Sequence, residues 1–97
     1  MSSLRQKKVN ELIRRELSKI IIREFEAPEN SLVTIVDVDT SSDLFSAKVS
    51  VSIFPVDKAK KTFGSLRKMA GFCQKLLNRR LKMKMIPRIN FYLIKNE

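Results

Sequence analysis

The sequence contains no histidine and only one cysteine, Cys73. A single cysteine cannot form a disulfide within the chain, and without histidine the commonest general base and the usual ligands of a zinc site are missing. No apolar run approaches the roughly 18 residues that a membrane-spanning helix needs, and the first residues are too charged to form a signal peptide. We therefore expect a cytoplasmic protein that has no cofactor or metal and does not use histidine as a catalytic base.

Acidic residues are absent from a long C-terminal stretch. Residues 58–96 contain twelve Lys and Arg and no Asp or Glu, whereas residues 1–57 contain eight basic and nine acidic side chains. The formal net charge of the whole chain is +10. Such a one-sided charge attracts polyanions, so nucleic acid is the favoured partner, and an anionic membrane surface is the weaker alternative.

The N-terminal half has one helical and one alternating pattern. Apolar residues from Arg5 to Phe25 recur every three or four positions, which predicts an amphipathic helix that ends at "EAPENS". The stretches "SLVTIVDVDT" and "FSAKVSVSIF" flank the turn signal "SSDL" and predict a hairpin. The clean alternation in the second strand predicts a sheet that is covered on one side only.

The C-terminal half begins with a long helical pattern. We expect Asp57 to cap a helix whose apolar stripe continues to Leu81. Phe72 would lie opposite that stripe on a straight helix, among basic residues. Either the helix bends at Ala70 and Gly71 and brings Phe72 towards the core, or Phe72 stays exposed as a platform for a nucleic-acid base. A final strand, "PRINFYLI", has apolar residues on both faces and is predicted to lie in the middle of the sheet.

The resulting order of elements, α-β-β-α-α-β, predicts an α+β fold of the type II KH-like class in a single domain over residues 1–97. This fold has a three-stranded sheet with helices on one face. A KH domain grips single-stranded nucleic acid with a G-x-x-G loop. The two glycines here, Gly64 and Gly71, are seven residues apart, so the usual KH recognition of bases is not supported.

Four segments together resemble bacterial ribosome-binding factor A: "RQKKVNELIRRELSKIIIREF", the S-x-D-L-x-x-A-K-V pattern within "LVTIVDVDTSSDLFSAKVSVSIF", the break "AGF", and "LKMKMIPRINF". In that family a helix kink at an Ala-x-Gly sequence replaces the KH loop, and Met69 stands here at the position of the first alanine. The resemblance implies a kink at Ala70 and Gly71. It also implies a non-enzymatic factor that binds the small (30S) ribosomal subunit and its 16S rRNA during late maturation, in rRNA processing and cold adaptation.

The basic side chains suggest two RNA-binding surfaces. The denser cluster extends from the last helix into the final strand, and the weaker one lies on the first helix. The first cluster contains Lys68, Lys75, Arg79, Arg80, Lys82, Lys84 and Arg88, and the second contains Arg5, Lys7, Lys8, Arg14 and Arg15. We expect a monomer that binds RNA through these side chains. The alternative function is a general basic KH-like nucleic-acid-binding module without ribosome specificity.

Two other features are expected to be structural. Asp37, Asp39 and Asp43 could in principle hold a magnesium ion, but a strand and a turn explain them better. The single cysteine, Cys73, lies on the apolar stripe and is expected to be a small buried residue rather than a nucleophile.

Overall fold

The computed structural model describes residues 3–95. Its helices are α1 (Leu4–Glu24), α2 (Ala59–Lys68) and α3 (Ala70–Arg80), and its strands are β1 (Leu32–Thr40), β2 (Ser46–Phe54) and β3 (Arg88–Leu93). Short 3₁₀ turns at Pro28–Asn30 and Val56–Lys58 precede β1 and α2. The order α-β-β-α-α-β, and with it the α+β, KH-like fold class, is as predicted.

Helix α1 forms because its start is capped and one face is apolar. Ser3 is the N-cap: its Oγ accepts a hydrogen bond of 3.1 Å from the Gln6 backbone N–H, and its own N–H donates to Gln6 Oε1 over 2.9 Å. This reciprocal pair satisfies two helix-end donors. The buried face consists of Val9, Ile13, Leu17, Ile20 and Ile21.

The sheet has the order β1-β2-β3, with β2 antiparallel to β1 and parallel to β3. The prediction that the last strand is central is therefore wrong. The strands β1 and β2 pair directly with each other as a hairpin, so β3 cannot lie between them; it pairs with the other side of β2 and becomes an edge. Ile89 and Phe91 of β3 face the core, while Tyr92 is 49% exposed.

The three helices cover one face of the sheet, and the other face is open to solvent. In β2 the residues Ala47, Val49, Val51 and Ile53 are buried, and the residues between them are exposed or half-buried. Cys73 is fully buried in the same core, and this burial raises the pKa of its thiol, as expected for a structural cysteine. No helix within residues 3–95 is long and apolar enough to cross a membrane.

A break separates α2 from α3 and is centred on Met69. This residue has φ −91° and ψ 0°, its N–H donates to Leu66 O over 2.9 Å, and its carbonyl accepts from the Cys73 N–H over 2.9 Å. The predicted kink exists, but its position is one residue earlier than Ala70 and Gly71, which form the first turn of α3. Gly71 does not have a positive φ, and a Cβ added to it would meet no atom within 4 Å.

The start of α2 also differs from the prediction. Asp57 lies inside the 3₁₀ turn Val56–Lys58, and the N-cap of α2 is Lys58, which makes no side-chain capping bond. Asp57 therefore does not cap α2.

Candidate nucleic-acid interface

The solvent-facing side of α3 is basic, and Lys82 follows two residues after the end of the helix. We call this side and Lys82 together the α3 stripe. Its members are Gly71, Phe72, Lys75, Asn78, Arg79 and Lys82, all exposed. Among the side chains that the structure describes, no carboxylate lies within ion-pair distance of the three cations. Phe72 is 46% exposed, so the break does not carry it into the core. An exposed aromatic ring among unpaired cations is the arrangement on which single-stranded nucleic acids stack.

The end of α2 extends this basic region. Arg67 and Lys68 are both exposed in the last turn before the break. The Arg67 guanidinium lies 6.0 Å from the centre of the Phe63 ring, at the outer limit of a cation–π contact. Lys68 precedes Phe72 by four residues across the break, so its charge adds to the N-terminal end of the α3 stripe.

Arg80 follows Arg79 in sequence but does not belong to the α3 stripe. Its guanidinium donates to Glu16 Oε1 over 3.4 Å and joins α3 to α1. Lys19 and Arg15 approach the same carboxylate at 3.3 and 3.8 Å. Burial alone would raise the pKa of Glu16, but the hydrogen bonds and charges of Lys19 and Arg80 together lower it. Arg80 is therefore engaged in a contact between helices, and its side chain is only 28% exposed.

Gln74 fixes the loop after α3, which carries further cations. Its Oε1 accepts from the Ile89 backbone N–H over 2.8 Å, and its Nε2 donates to Pro87 O over 3.1 Å and to Asn78 Oδ1 over 3.0 Å. Lys82 and Lys84 are exposed within this loop. Gln74 was not among the functional residues predicted from the sequence. Its role could have been suspected only because it is a polar residue between the apolar residues of a helix.

The cations of the second predicted cluster, on α1, differ in their surroundings. Arg14 forms an ion pair with Glu11. Lys7 and Arg14 border a groove beside β1, whereas Arg5 lies in a separate pocket at the start of the helix. Lys8 is exposed. Arg15 shares the Glu16 carboxylate with Arg80 of the other cluster. Arg5 shares a site with Lys84 of that cluster.

That shared site is a pocket of about 470 Å³ between the start of α1, the β1–β2 turn and the loop after α3. Arg5 and Lys84 both line it, so the fold joins two cations that are far apart in sequence. Arg88 lies elsewhere. It is the first residue of β3, is exposed, and precedes the core-facing Ile89, so it lies on the open face of the sheet.

The three aspartates do not gather into one site. Asp37 and Asp39 are exposed along β1. Asp43 lies in the turn, where its Oδ1 accepts from Ser41 Oγ over 2.6 Å and from the Phe45 N–H over 3.0 Å. These hydrogen bonds lower the pKa of Asp43. Within the part of the chain that the structure describes, no group of three acidic, cysteine or histidine side chains could hold a metal ion.

Comparisons with known proteins identify the family. A family model described as ribosome-binding factor A matches residues 5–95. The chain is 37% identical over 92 residues to ribosome-binding factor A of Halothermothrix orenii, which covers 94% of this chain and 75% of that protein. It is 36% identical over 91 residues to the Clostridium botulinum protein of the same name, covering 92% and 76%. The crystal structure of ribosome-binding factor A from Thermus thermophilus superposes with a TM-score of 0.71 at 23% identity, over 91% of this chain and 94% of that one. The chain belongs to the ribosome-binding factor A family.

Proposed function

We propose that this protein is a ribosome assembly factor that binds the small ribosomal subunit through its 16S rRNA. The observation that carries the proposal is the α3 stripe, an exposed surface with three cations that have no acidic partner among the described side chains. Membership of a family whose name denotes ribosome binding supports the ribosome as the source of that RNA.

The cations contact phosphates and position the protein without reading sequence. Lys68 and Lys84 flank the α3 stripe at its two ends and add to its positive electrostatic potential. Arg80 is instead held by its hydrogen bond to Glu16. Specificity comes from the shape of folded rRNA, because side chains cannot enter the deep groove of an RNA helix. This is a binding function, not catalysis.

Binding acts on maturation by stabilising one conformation of the RNA. The size of that effect equals the difference in the protein's affinity for the two RNA states. We further propose a role in rRNA processing and in cold adaptation, which the resemblance to the family implies. We propose that the protein acts as a cytoplasmic monomer, with residues 1–97 forming one RNA-binding domain.

Charge reversal on the α3 stripe tests the proposal. The double substitution Lys75→Glu and Arg79→Glu should weaken small-subunit binding and reduce the slope of log affinity against log salt by about 1.4–1.8, which is two contacts at 0.7–0.9 each. The control is Arg23→Glu with Lys60→Glu, two exposed cations outside the α3 stripe, which gives the same net charge. Equal loss in both variants would mean that only net charge matters, as in a general basic nucleic-acid module.

A further inference from the structure

The pocket that joins Arg5 and Lys84 also contains an exposed aromatic ring. Phe45 is 60% exposed and lines the pocket together with Met83 and Met85. The volume of about 470 Å³ is within the range of roughly 300–1,000 Å³ typical of small-ligand sites. The pocket therefore has a flat ring, flexible apolar side chains and two cations around one space.

The turn between β1 and β2 holds Phe45 outside the core. Leu44 has a φ of 63°, and its N–H donates to Ser41 O over 2.9 Å. Leu44 packs against the core, and the next residue, Phe45, points out. The Phe45 N–H donates to Asp43 Oδ1 over 3.0 Å, and its carbonyl accepts from the Arg88 N–H over 2.9 Å. Both backbone groups of Phe45 are fixed, so its ring is presented from a rigid position.

The start of α1 forms another part of the wall and is also fixed. Gln6 Nε2 donates to Thr40 O over 2.9 Å, and Asn10 Oδ1 accepts from the Thr40 N–H over 2.9 Å. These bonds attach the first turns of α1 to the end of β1. Arg5 and Lys84 have no ion-pair partner among the described side chains, and the described first turn of α1 has no acidic residue. The positive end of the α1 helix dipole adds to the positive potential that these two cations create in the pocket.

We propose that this pocket binds one unstacked nucleotide of single-stranded RNA, with its base against Phe45 and its phosphate at Arg5 and Lys84. The inference rests on the proposed RNA-binding function and assigns it a second contact, separate from the α3 stripe. Stacking on an aromatic ring tolerates every base, so the pocket selects an unpaired nucleotide rather than a sequence. Met83 and Met85 adapt their flexible side chains to the edge of the base.

The carboxylate of Asp43 also lines the pocket and determines which way the nucleotide lies. It repels a phosphate, so the phosphate is confined to the side of Arg5 and Lys84. A carboxylate can accept a hydrogen bond from a base amino group or a ribose 2′-hydroxyl. The nucleotide therefore has one favourable orientation.

Methyl NMR on the full chain tests the pocket directly. The labelled methyl groups of Met83 and Met85 are followed during titration with adenosine 5′-monophosphate and, separately, with ribose 5-phosphate. We expect saturable shifts of both methyl signals with the nucleotide and smaller ones with the sugar phosphate. Equal shifts with both compounds would show a simple anion site, and no shift with either would also overturn the proposal.

Substitution of the ring provides the second test. Phe45→Ala should weaken binding of hexaadenylate by about 5- to 150-fold, the range expected for one lost stacking contact. Phe45→Tyr keeps the ring and should bind normally. The matched control is Phe54→Ala, which removes a ring that is 67% exposed but lies outside the pocket. Because Phe45 is exposed, thermal unfolding of the Phe45→Ala variant should match that of the unchanged protein. Unchanged hexaadenylate affinity in this variant would refute the stacking contact.

The pocket and the proposed function fail in different ways. If the protein binds small subunits but shows no nucleotide-induced methyl shifts, the proposed function stands and the pocket proposal is refuted. Nucleotide shifts that depend on Phe45, in a protein that does not bind small subunits, support the pocket and contradict the ribosomal role.

Discussion

Gln74 offers the sharpest test of how the fold positions its basic loop. Gln74→Leu keeps the size of the side chain but removes the acceptor of the Ile89 N–H and the donor to Pro87 O. Each such bond contributes about 0.5–1.5 kcal/mol net, and a part-buried N–H left without a partner costs about 1–3 kcal/mol. We therefore expect the free energy of unfolding to fall by about 2–3 kcal/mol, which corresponds to roughly 10–20 °C in Tm for a chain of this size.

The control for this variant is Gln74→Glu. A carboxylate still accepts from the Ile89 N–H but cannot donate to Pro87 O, so the expected loss is about 1 kcal/mol. Urea unfolding measures both free energies, and amide hydrogen exchange follows the Ile89 N–H itself. In the leucine variant this amide should exchange faster than the amides of the β1–β2 hairpin. Unchanged stability, or unchanged exchange at Ile89, would refute the view that Gln74 attaches the loop to α3.

Four further substitutions separate structural roles from binding roles. Gly71→Ala should raise the free energy of unfolding by up to about 1 kcal/mol in urea, because alanine favours helix, nothing crowds the added Cβ and φ is not positive; a loss of stability would contradict this. Thr40→Val should raise the free energy of unfolding by about 1 kcal/mol, because the Thr40 hydroxyl is buried without a hydrogen-bond partner among the described residues. A lower Tm in a thermal melt would mean that the hydroxyl does have a hydrogen-bond partner. Arg80→Ala removes the Glu16 contact, so the free energy of unfolding should fall by less than about 1 kcal/mol and the affinity for the small subunit should not change. Arg79→Ala should weaken that affinity without changing stability. Equal effects of the two variants on affinity would place both arginines on the interface.

The sequence predicted the elements whose patterns are strongly periodic. The spacing of Val9, Ile13 and Leu17 permits only one buried helix face, and the alternation in β2 permits only one buried sheet face. These local patterns reflect burial directly. The turn at "SSDL" was equally clear, because Ser and Asp side chains bond to nearby backbone groups, as Ser41 and Asp43 do here.

The errors concern features that depend on distant residues. Apolar residues on both faces suggested a central β3, but the direct pairing of β1 with β2 keeps β3 out of the middle of the sheet. The break was assigned to Gly71 because glycine disfavours helix, yet Met69 adopts the non-helical conformation. Arg79 and Arg80 are neighbours in sequence, but one helical step of 100° directs one to solvent and the other to Glu16 on α1.

The central claim is that this protein binds the small ribosomal subunit, and co-sedimentation with isolated subunits tests it most directly. The measurement is made at about 150 mM salt, where weak polycation binding is screened. The account predicts pelleting with the small subunit, little pelleting with the large subunit, and poor competition by bulk duplex RNA. Equal pelleting with both subunits, abolished by duplex RNA, would contradict the claim and leave a general basic RNA-binding protein.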